Sequence, residues 1–450
     1  MTLWSHTEAE AATLGHASAP FAANGLSIDT RGLKPGDLFV ALKGEARDGH
    51  DFVPAAFAAG AGAALVARPV AEAGGPLLTV AHTQRGLEDL GRAGRARTSA
   101  KVVAVTGSAG KTTTKEILRL AFDALGRTYA SAASHNNHWG VPLSLAALPR
   151  DAEYGVFEIG MNHFGEIRAL AGMVRPHLAL ITTIAPAHLE FFGNCEAIAD
   201  AKSEIFEGLE PGGAALIPAD SPYAERLARR ARQARVATLA RFGSAAKAEA
   251  RLLSHADGGE GMRLKADIFG TTVECRIGAE GAHIAANAVG ALAAVHLAGG
   301  DVLNAAAALK NFTALKGRGA RLSLRGLTVI DESYNANPAS MAAALALLGG
   351  AKGRKIAVLG DMLEMGEGAP AHHAALVRPI EENKVDLVFA AGPQMRALWE
   401  ALPATRRGAH ADSAAQLAPL VLAALAPGDT VLIKGSNGSR MSLILDALKA

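Results

Sequence analysis

The sequence predicts an α/β protein of three domains, on three observations. The chain has 450 residues, which is too long for one hydrophobic core at roughly 100 to 200 residues per domain. From Lys101 onward, apolar runs alternate with helical stretches, a pattern typical of parallel sheets covered by helices. The alternation is interrupted before Phe312 and then resumes. We therefore expect a small N-terminal α/β domain over residues 1–98, a central parallel-sheet domain over 99–311, and a C-terminal Rossmann-like, doubly wound domain over 312–450.

In the first domain, the stretch GLSIDTRGLKPGDLFVALKGEARDGHDFV breaks short apolar runs with Gly, Pro and Asp, which indicates strands and turns. In the second, we expect strands at KVVAV, YGVFEIG, LALITTI and AALIPA. Two alternating segments around a Gly-rich turn follow, in RLLSHADGGEGMRLKADIFGTTVECRIGAEG, and predict an antiparallel excursion. The helix HIAANAVGALAAVHLAGG closes this domain. In the third, LTVID, KIAVLGD, DLVFAAG and DTVLIKG are the expected strands, and SMAAALALL and MRALWEAL are among the expected helices.

Composition narrows the class of partner. Hydrophobic residues make up 50% and charged residues 20%, and the formal net charge is +2, so the pattern is globular and favours small molecules over nucleic acid. No apolar stretch reaches the roughly 18 residues of a membrane span, and MTLWSHTEAEAA lacks the features of a secretion signal. We expect a cytoplasmic monomer with no membrane insertion. Cys195 and Cys275 are expected to be free thiols.

A phosphate-binding loop is predicted at VTGSAGKTTTKE, between an apolar strand and a helix. Gly107 and Gly110 allow a tight turn, so that amides at the helix start converge on phosphate oxygens. Lys111 would neutralise the β- and γ-phosphates, and Thr112 would offer a hydroxyl to Mg²⁺. The spacing G-x-x-G-K-T is shorter than the usual motif because Val105 replaces its first glycine. The alternative is a plain strand-to-helix turn.

Three further polar residues lie near the ends of expected strands of the same sheet. Glu158 ends YGVFEIG, His188 follows LALITTI, and Lys202 opens the helical stretch AKSEIFEGL. Singly, each has an ordinary explanation as a cap, a loop residue or a solvated charge. Because ligands collect at the carboxyl edge of open α/β sheets, together they favour metal-bridged phosphoryl transfer to an oxygen nucleophile.

The chain resembles the Mur ligases, which build the peptide stem of the bacterial cell-wall precursor by ATP-driven amide formation. The resemblance rests on ten segments in the family's order: TGSAGKTTTKE, HNNHWGVPLSL, EIGMN, AHLEFFG, AKSEIF, HIAANAVGA, GRGAR, DESYNANPASM, VLGDMLEMG and LIKGS. It implies an N-terminal domain for a UDP-sugar-peptide, a central ATPase of the phosphate-loop type, and a C-terminal domain that receives the acceptor.

Within the family, DESYNANPASM with LGDMLEMG is similar to the members that join D-alanyl-D-alanine to UDP-MurNAc-tripeptide through an acyl phosphate. Those two small molecules are then the expected substrates, and the third stem residue is diaminopimelate or lysine. The alternatives are another amide ligase of this fold, such as a folylpolyglutamate type, a phosphate-loop switch or motor, and a binding protein without activity.

The resemblance also implies residue roles. The catalytic residues would be Lys111, His188 and Lys202, with Lys202 carbamylated. ATP, with His283 and Asn287 near the adenine, would contact Gly107, Ser108, Ala109, Gly110, Lys111, Thr112, Thr113, Asn287, Arg318 and Asp331. Two Mg²⁺ ions would be held by Thr112, Glu158, His188 and Lys202. Substrate contacts would be Ser27, Thr30, Arg31, Asp48, Gly49, His50, Tyr334, Asn335 and Asn337.

For the six expected substrate contacts in the first domain, from Ser27 to His50, an ordinary role in the local turns is an equal alternative to substrate binding. Two positions depart from the family pattern. Trp139 replaces an aliphatic residue, and Asn437 replaces a frequent arginine, for which Arg440 would compensate.

Overall fold

The computed structural model describes residues 2–132, 134–258 and 261–450. Within these ranges the chain is an α/β protein whose three main sheets, of five, nine and six strands, follow one another along the sequence. The predicted fold class is confirmed. We call the elements around these sheets the first lobe (β1 to α3), the central lobe (β8 to α11) and the third lobe (β17 to α17), with the bounds given below.

The first lobe contains β1 (Trp4–Ser5), α1 (His6–Thr13), β2 (His16–Ala17), β3 (Ala22–Ala23), β4 (Gly25–Ser27), β5 (Asp37–Val40), α2 (Val53–Ala58), β6 (Ala63–Val66), β7 (Leu77–Thr79) and α3 (Thr83–Ala96). Its sheet has the order β2-β7-β6-β5-β4, and β1 pairs with β3 in a separate ribbon. Strands β5 and β6 are buried along their whole length, as the apolar runs LFV and AALV in their sequences require in a mainly parallel sheet.

The central lobe contains β8 (Lys101–Thr106), α4 (Lys111–Asp123), β9 (Thr128–Ala130), α5 (Gly140–Ala146), β10 (Tyr154–Glu158), α6 (Glu166–Val174), β11 (Leu178–Ile181), α7 (Leu189–Phe192), α8 (Cys195–Ser203), β12 (Ala214–Pro218), α9 (Ala224–Gln233), β13 (Thr238–Gly243), β14 (Ala250–Asp257), β15 (Met262–Ile268), β16 (Thr271–Ile277), α10 (Ala282–Leu297) and α11 (Val302–Ala308). Its sheet has the order β16-β15-β14-β13-β12-β11-β8-β10-β9.

Strand β8 lies between β10 and β11 and runs parallel to both, with Val105 opposite Glu158 and Thr106 opposite Ile181. The three strands therefore end at the same edge of the sheet. Loops that leave this edge bring together residues that are far apart in sequence, which is where ligands bind in open α/β folds.

The third lobe contains β17 (Ala320–Leu324), β18 (Leu327–Glu332), α12 (Pro338–Gly349), β19 (Lys355–Gly360), α13 (Ala369–Ala374), α14 (Val377–Glu382), β20 (Leu387–Ala391), α15 (Met395–Ala401), β21 (Arg407–Ala411), α16 (Ala414–Ala424), β22 (Thr430–Lys434) and α17 (Ser442–Lys449). Its sheet has the order β17-β18-β22-β19-β20-β21 and is parallel except for β17. Short 3₁₀ turns occur at Gly49–Phe52, Glu204–Gly208, Leu309–Asn311, Gly366–Gly368, Ala404–Arg406 and Asn437–Ser439.

The first lobe is fastened to the central lobe by close packing of α3 on α5. A Cβ atom at Gly91 would lie 2.9 Å from the carbonyl oxygen of Pro142, and one at Gly94 would lie 2.3 Å from that of Leu145. Since contacts below 3.0 Å are not tolerated between a Cβ and a backbone oxygen, both glycines are needed for the two helices to approach this closely. Trp4 adds a buried hydrogen bond of 2.9 Å from its Nε1 to Ala146 O.

The predicted strands of the central and third sheets are present. The structure adds others, of which β9, β17 and β21 lie at sheet edges and β13 lies between β12 and β14. Strands β9, β13, β17 and β21 were not predicted, and the antiparallel excursion has three strands, β14 to β16, where two were expected. Most of the added strands carry a mixed or exposed pattern, such as β17 and β21 with no buried residue, so their apolar signal is weak.

Two further expectations concern the whole chain. Cys195 and Cys275 are free, as predicted. Among the described residues, no helix combines the length and the apolar character needed to cross a bilayer.

Candidate active site

A cavity of about 590 Å³ lies at the carboxyl edge of the central sheet, where the third lobe faces it. Both lobes contribute to its wall. It is lined by Ser108, Ala109, Gly110, Lys111, Thr112, Thr113, Ser134, Asn136, Glu158, Gly160, Met161, Asn162, Thr182, Thr183, Ile184, His188, Pro218, Asp220, Ser221, Pro222, Phe242, Gly243, His283, Ile284, Ala286, Asn287, Gly317, Arg318, Glu332, Tyr334, Asn335, Ala336, Asn337, Ala339, Ser340, Ala343, Ala344 and Lys434.

The glycine-rich loop between β8 and α4 forms the floor of this cavity. Gly110 has φ +80° and precedes the first residue of α4, while a Cβ at Gly107 would lie 1.9 Å from Thr182 Oγ1. Thr182 Oγ1 also donates a hydrogen bond of 2.5 Å to Ala109 O. The loop is thus held against the end of β11, and the free amides of the first turn of α4 form a site for an anion.

Lys111 is the first residue of α4, and its Nζ donates a 2.8 Å hydrogen bond to Gly107 O. Burial lowers the pKa of its amine; Glu158 opposes this shift and Arg318 adds to it. Burial removes water from the charged amine, which makes the charged form unfavourable. A bound anion restores favourable interactions with that charge, so it would stabilise the protonated form of Lys111.

Thr112 and Glu158 form an oxygen pair beside the loop. Thr112 Oγ1 donates to Glu158 Oε2 at 2.7 Å, and Asn136 Nδ2 donates to Glu158 Oε1 at 2.7 Å. Glu158 is only 1% exposed. A hydroxyl and an oriented carboxylate are hard oxygen donors, which Mg²⁺ prefers, and Mg²⁺ usually takes its other ligands from water and phosphate. No group of three or more His, Cys, Asp or Glu side chains able to hold a metal occurs in the described part of the chain. The two oxygen donors of Thr112 and Glu158 suit Mg²⁺ that keeps its other ligands from water and phosphate.

His188 lies on the cavity wall, immediately before α7, and its backbone is left-handed with φ 56°. Its Nδ1 is hydrogen-bonded to the Oε2 atom of Glu364, which belongs to the third lobe. This hydrogen bond lowers the pKa of the Glu364 carboxyl. The histidine therefore has one ring nitrogen engaged across the lobe boundary.

Lys202 is buried, with 1% of its surface exposed. It lies in the last turn of α8, so the expectation that it opens a helix was wrong: the residues after it form a 3₁₀ turn, which ends α8. Burial lowers the pKa of its amine well below the ordinary value, and the charge of Lys111 adds to the shift. It is not among the residues that line the cavity, and within the described ranges its amine has no hydrogen-bond partner or counter-ion.

The third lobe reaches the phosphate loop through polar side chains. Arg318 Nη2 and the Tyr334 hydroxyl donate to Ser134 Oγ at 3.3 Å and 2.9 Å, and the Arg318 guanidinium lies 3.9 Å from the centre of the Tyr334 ring. Asn337 Nδ2 donates to Ser108 O at 3.1 Å. The Asn337 amide thus lies against the phosphate loop itself, and Arg318 lies beside it at Ser134, whose Oγ is 3.5 Å from Thr112 Oγ1.

Two other residues of the third lobe, Asn335 and Asp331, were expected to contact the substrate and ATP, and only the first of them lines the cavity. Asn335 lines the cavity, and its carbonyl accepts from Lys434 Nζ at 2.9 Å. Asp331 is 1% exposed and does not line the cavity. Its carboxylate accepts from Gly317 N at 2.9 Å and from Ser333 Oγ at 2.6 Å, so it shapes the turn that carries Arg318.

The expected adenine region is formed by α10. Asn287 and His283 both line the cavity, and burial lowers the pKa of His283. A Cβ at Gly110 would lie 2.9 Å from Asn287 Nδ2, so α10 packs directly against the phosphate loop.

The six expected contacts in the first lobe do not line this cavity: Ser27, Thr30, Arg31, Asp48, Gly49 and His50. Arg31 Nη2 is paired with Asp29 at 2.6 Å. His50 Nδ1 contacts Asp48 Oδ1 at 2.6 Å, and its Nε2 accepts from Ala67 N at 2.9 Å. Backbone and side-chain hydrogen bonds from His50 lower the pKa of Asp48 to about 2. The local bonds are those of ordinary turns.

Several residues in or beside the cavity were not assigned roles from the sequence, and those with contacts described here include Thr182, Ser134, Asn136, Glu364 and Lys434. The last three lie in segments that carry the family resemblance, HNNHWG, LGDMLEMG and LIKGS, so the motif order pointed to them without indicating their partners. Asn437, which replaces a frequent arginine, and Arg440, which was expected to compensate for it, are both absent from the cavity wall.

Comparisons with known proteins cover almost the whole chain. Residues 23–107 match the model "Mur ligase family, catalytic domain", residues 105–295 "Mur ligase middle domain" and residues 317–437 "Mur ligase, glutamate ligase domain". A protein of Escherichia coli named UDP-N-acetylmuramoyl-tripeptide--D-alanyl-D-alanine ligase is 36% identical over 432 residues, covering 94% of this chain and 93% of its own.

Solved structures agree with this similarity. MurF from Acinetobacter baumannii is 30% identical, with a TM-score of 0.88 and 99% coverage of both chains. MurF ligase from Thermotoga maritima in complex with ADP is 26% identical, with a TM-score of 0.80 and coverage of 94% of this chain and 97% of the other.

Proposed function

The chain belongs to the Mur ligase family, and from this premise we propose that it joins D-alanyl-D-alanine to UDP-MurNAc-tripeptide while ATP is cleaved to ADP and phosphate. The observation that carries the proposal is the shared wall of one cavity. The phosphate loop lies on one side and the DESYNANP segment of the third lobe on the other. Relatives that align over nearly their full length are named for this reaction.

The first step would activate the carboxylate at the end of the tripeptide. Its oxygen bonds to the γ-phosphorus of ATP, the bond from that phosphorus to the β,γ-bridging oxygen breaks, and ADP leaves. Lys111, the amides of the loop and Arg318 surround the position where the phosphates would lie, so negative charge that moves onto the leaving oxygen meets fixed positive groups. The product is an acyl phosphate. An amine attacks its acyl carbon far more readily than it attacks the carbon of a free carboxylate.

The second step would form the amide. The amino group of D-alanyl-D-alanine attacks the acyl carbon, the tetrahedral intermediate expels phosphate, and the amine loses a proton. Residues of the third lobe that face the loop, Tyr334, Asn335 and Asn337, are placed to border the acceptor. Closure of the two lobes keeps water from the acyl phosphate, which would otherwise be hydrolysed.

Thr112 and Glu158 would hold the Mg²⁺ that accompanies ATP, and Asn136 would orient the carboxylate. This metal supplies neutralisation of phosphate charge when it is bound. His188 and Lys202 would serve a second ion. A lysine cation cannot be a ligand, and Mg²⁺ takes oxygen ligands rather than the nitrogen of a neutral amine, so this role needs a modified side chain.

Carbamylation of Lys202 would meet that need. A neutral amine attacks CO₂, forms an N–C bond and releases one proton, which leaves a carboxylate-like group. The environment of Lys202 supports the proposal, because burial and the nearby charge of Lys111 both favour the neutral amine that reacts.

We place the domain boundaries near residues 98 and 311. The first lies in the connection between α3 and β8, and the second in the connection between α11 and β17. The uridine-nucleotide contacts would then belong to the first lobe, at Ser27, Thr30, Arg31, Asp48, Gly49 and His50. Because ATP and a UDP-linked precursor are cytoplasmic metabolites, we assign the reaction to the cytoplasm.

The test is a purified protein supplied with ATP, Mg²⁺ and UDP-MurNAc-tripeptide, with tripeptides that end in diaminopimelate or in lysine tried separately. D-alanyl-D-alanine should trigger phosphate release together with a product whose mass equals both substrates minus one water. Single amino acids should not. Release with a single amino acid and none with the dipeptide would assign the chain to another ligase of this fold, and nucleotide cleavage without any new amide would reject ligation altogether.

A further inference from the structure

The hydrogen bond between His188 and Glu364 joins residues 176 positions apart and crosses from the central lobe to the third. Both residues have left-handed backbones, with φ 56° for His188 and 62° for Glu364. Such values are uncommon for residues other than glycine and cost free energy, so they persist only where the surrounding structure enforces them. The contact therefore depends on two constrained backbones.

On the third-lobe side, the loop of residues 361–366 is anchored at several points. Met362 N donates to His373 Nε2 at 2.9 Å, and Leu363 N donates to Ser436 Oγ at 3.0 Å. The Asp361 carboxylate accepts from Met395 N at 2.8 Å. A loop held by three separate elements presents Glu364 at a fixed place.

On the central-lobe side, the segment after His188 meets the same loop. Glu190 N donates to Glu364 O at 3.2 Å, and a Cβ at Gly366 would lie 3.4 Å from Glu190 Cα. Leu189 packs against hydrophobic clusters of both lobes. Backbone and apolar contacts already join the lobes here, so docking does not require an ion pair between partly exposed side chains, which contributes little by itself.

The chemistry of the pair indicates a more specific role. An ionised carboxylate only accepts hydrogen bonds, so a proton lies on Nδ1 of His188 in this contact. In the neutral form of the ring, Nε2 then keeps its lone pair. Carboxylates that bind the second nitrogen of a histidine fix its tautomer and its ring orientation. His188 lines the cavity, whereas Glu364 does not, so Glu364 would act only through the histidine.

We propose that Glu364 is a positioning residue of the reaction: it holds His188 as the Nδ1–H tautomer, so that Nε2 is available to the reacting groups in the cavity. The catalytic part of this inference rests on the proposed function. The tautomer of His188, in the central lobe, thus depends on the third lobe as well. The Glu364 carboxylate reaches His188 only when the two lobes are in contact.

The experiment compares Glu364→Ala and Glu364→Gln with the matched control Glu367→Ala, which removes an exposed carboxylate three positions further along. Long-range ¹H–¹⁵N spectra of protein labelled at histidine nitrogen report the tautomer without metal or nucleotide, and His188→Asn identifies the His188 signals. We expect Nδ1–H in the wild type and in the control. We expect a shift toward Nε2–H in Glu364→Ala, and partial retention in Glu364→Gln, because the amide oxygen still accepts.

Steady-state kinetics supply the second readout. In Glu364→Ala, kcat should fall by about 10- to 100-fold, the usual loss when such an outer partner is removed, while KM for the UDP-sugar-peptide stays within about threefold of the control. An unchanged His188 tautomer in Glu364→Ala, or a kcat equal to that of the control, would overturn the proposal. If the wild type ligated no amine, the proposed function would fall, and the tautomer spectra alone would still decide whether Glu364 sets His188.

Discussion

Asn337, in the third lobe, donates a hydrogen bond of 3.1 Å to the carbonyl oxygen of Ser108, in the phosphate loop 229 positions earlier. The same side chain accepts from Ser340 N at 2.9 Å and caps α12. One amide thus begins a helix of the third lobe and connects that helix to the loop expected to bind ATP. The start of α12 and the phosphate loop cannot separate without breaking this buried bond.

Replacing Asn337 by Ser should separate the two roles. Serine is also a favoured N-cap, but its side chain is shorter and does not carry the amide that bonds Ser108 O. An unsatisfied buried carbonyl costs about 1–3 kcal/mol, and this cost is relieved when the lobes part and Ser108 O meets water. The docked arrangement is therefore disfavoured more than the fold, so we expect kcat/KM for ATP to fall by about tenfold or more, with a smaller effect on thermal stability. Asn337→Ala should lose the cap as well and show a lower melting temperature. Equal ATP kinetics in Asn337→Ser and wild type would contradict the docking role.

Lys111→Ala should abolish turnover without unfolding the protein. The variant removes the cation beside the phosphates, and losses of at least about 10²- to 10³-fold are usual when such stabilisation is removed. Since burial disfavours the charged amine, the melting temperature should stay the same or rise. Phosphate release and thermal unfolding measure the two effects. Lys101→Ala, at an exposed strand end, is the control and should keep full activity.

Lys202→Ala should lose most activity and regain part of it when acetate or propionate is added. The truncated side chain leaves space in which a small carboxylate can replace the proposed carbamate. Lys202→Met is the informative partner, because it fills the same space without charge and should not be rescued. Activity near that of the wild type in both variants would show that Lys202 has no part in the reaction. Loss without rescue in Lys202→Ala would count against the carbamate.

Gly94→Ala and Gly172→Ala should change stability in opposite directions, although both glycines lie in helices. Helix propensity alone favours alanine by about 1 kcal/mol at either site. At Gly94 the new Cβ would meet Leu145 O at 2.3 Å, whereas at Gly172 nothing lies within 4 Å. Forcing α3 and α5 apart should cost about 1–3 kcal/mol. Melting temperatures of the two variants check this, and a stabilised Gly94→Ala would refute tight packing of the first lobe.

His373 should make the third lobe less stable as the pH falls. The side chain is fully buried, with Nε2 accepting from Met362 N at 2.9 Å and Nδ1 bonded to Ala369 O at 2.6 Å. Burial is the main cause that lowers its pKa, and His372 adds to this, while the bond to Ala369 and the charge of Asp361 act in the opposite direction. The folded state therefore favours the neutral ring, and the unfolded state binds the proton more readily.

Its contribution is thus complete above the unfolded pKa of about 6.5 and is lost as the pH falls below that value. The loss is at most about 1.4 kcal/mol for each pH unit. Thermal unfolding at pH 7.5 and pH 5.5 should show a smaller difference for His373→Gln than for the wild type. The exposed control His16→Gln should keep the wild-type difference. Identical differences in all three proteins would exclude His373 as the cause.

Much of the fold follows from local sequence. Strands such as Lys101–Thr106 and Thr430–Lys434 are short apolar runs that burial in a parallel sheet requires, and they were predicted. The edge strands Ala320–Leu324 and Arg407–Ala411 were not, because one side of an edge strand has no partner and its residues stay polar or half exposed. Pairing with a neighbour, rather than composition, makes them strands.

The residues of the candidate site likewise fall into two groups, those that the sequence indicated and those that only the structure identified. Lys111 and Thr112 were indicated by the glycine-rich motif between β8 and α4. Glu158 was indicated because it ends a strand, and the register of parallel strands brings that end beside the phosphate loop. Ser134, Glu364 and Lys434 carry no comparable signal. Ser134 and Glu364 meet partners across the lobe boundary, 184 and 176 positions away in the chain. Lys434 is bonded to Glu332 within the third lobe, where strand pairing brings the two together.

The sequence by itself determined the three α/β units, the phosphate loop and the family, because these depend on apolar periodicity, glycine spacing and motif order along one chain. Only the tertiary structure decided that Asp331 supports a turn behind the cavity, that Lys202 is buried without a partner among the described residues, and that Glu364 meets His188. Those outcomes depend on packing between lobes, where burial and hydrogen-bond geometry join residues that no local pattern connects.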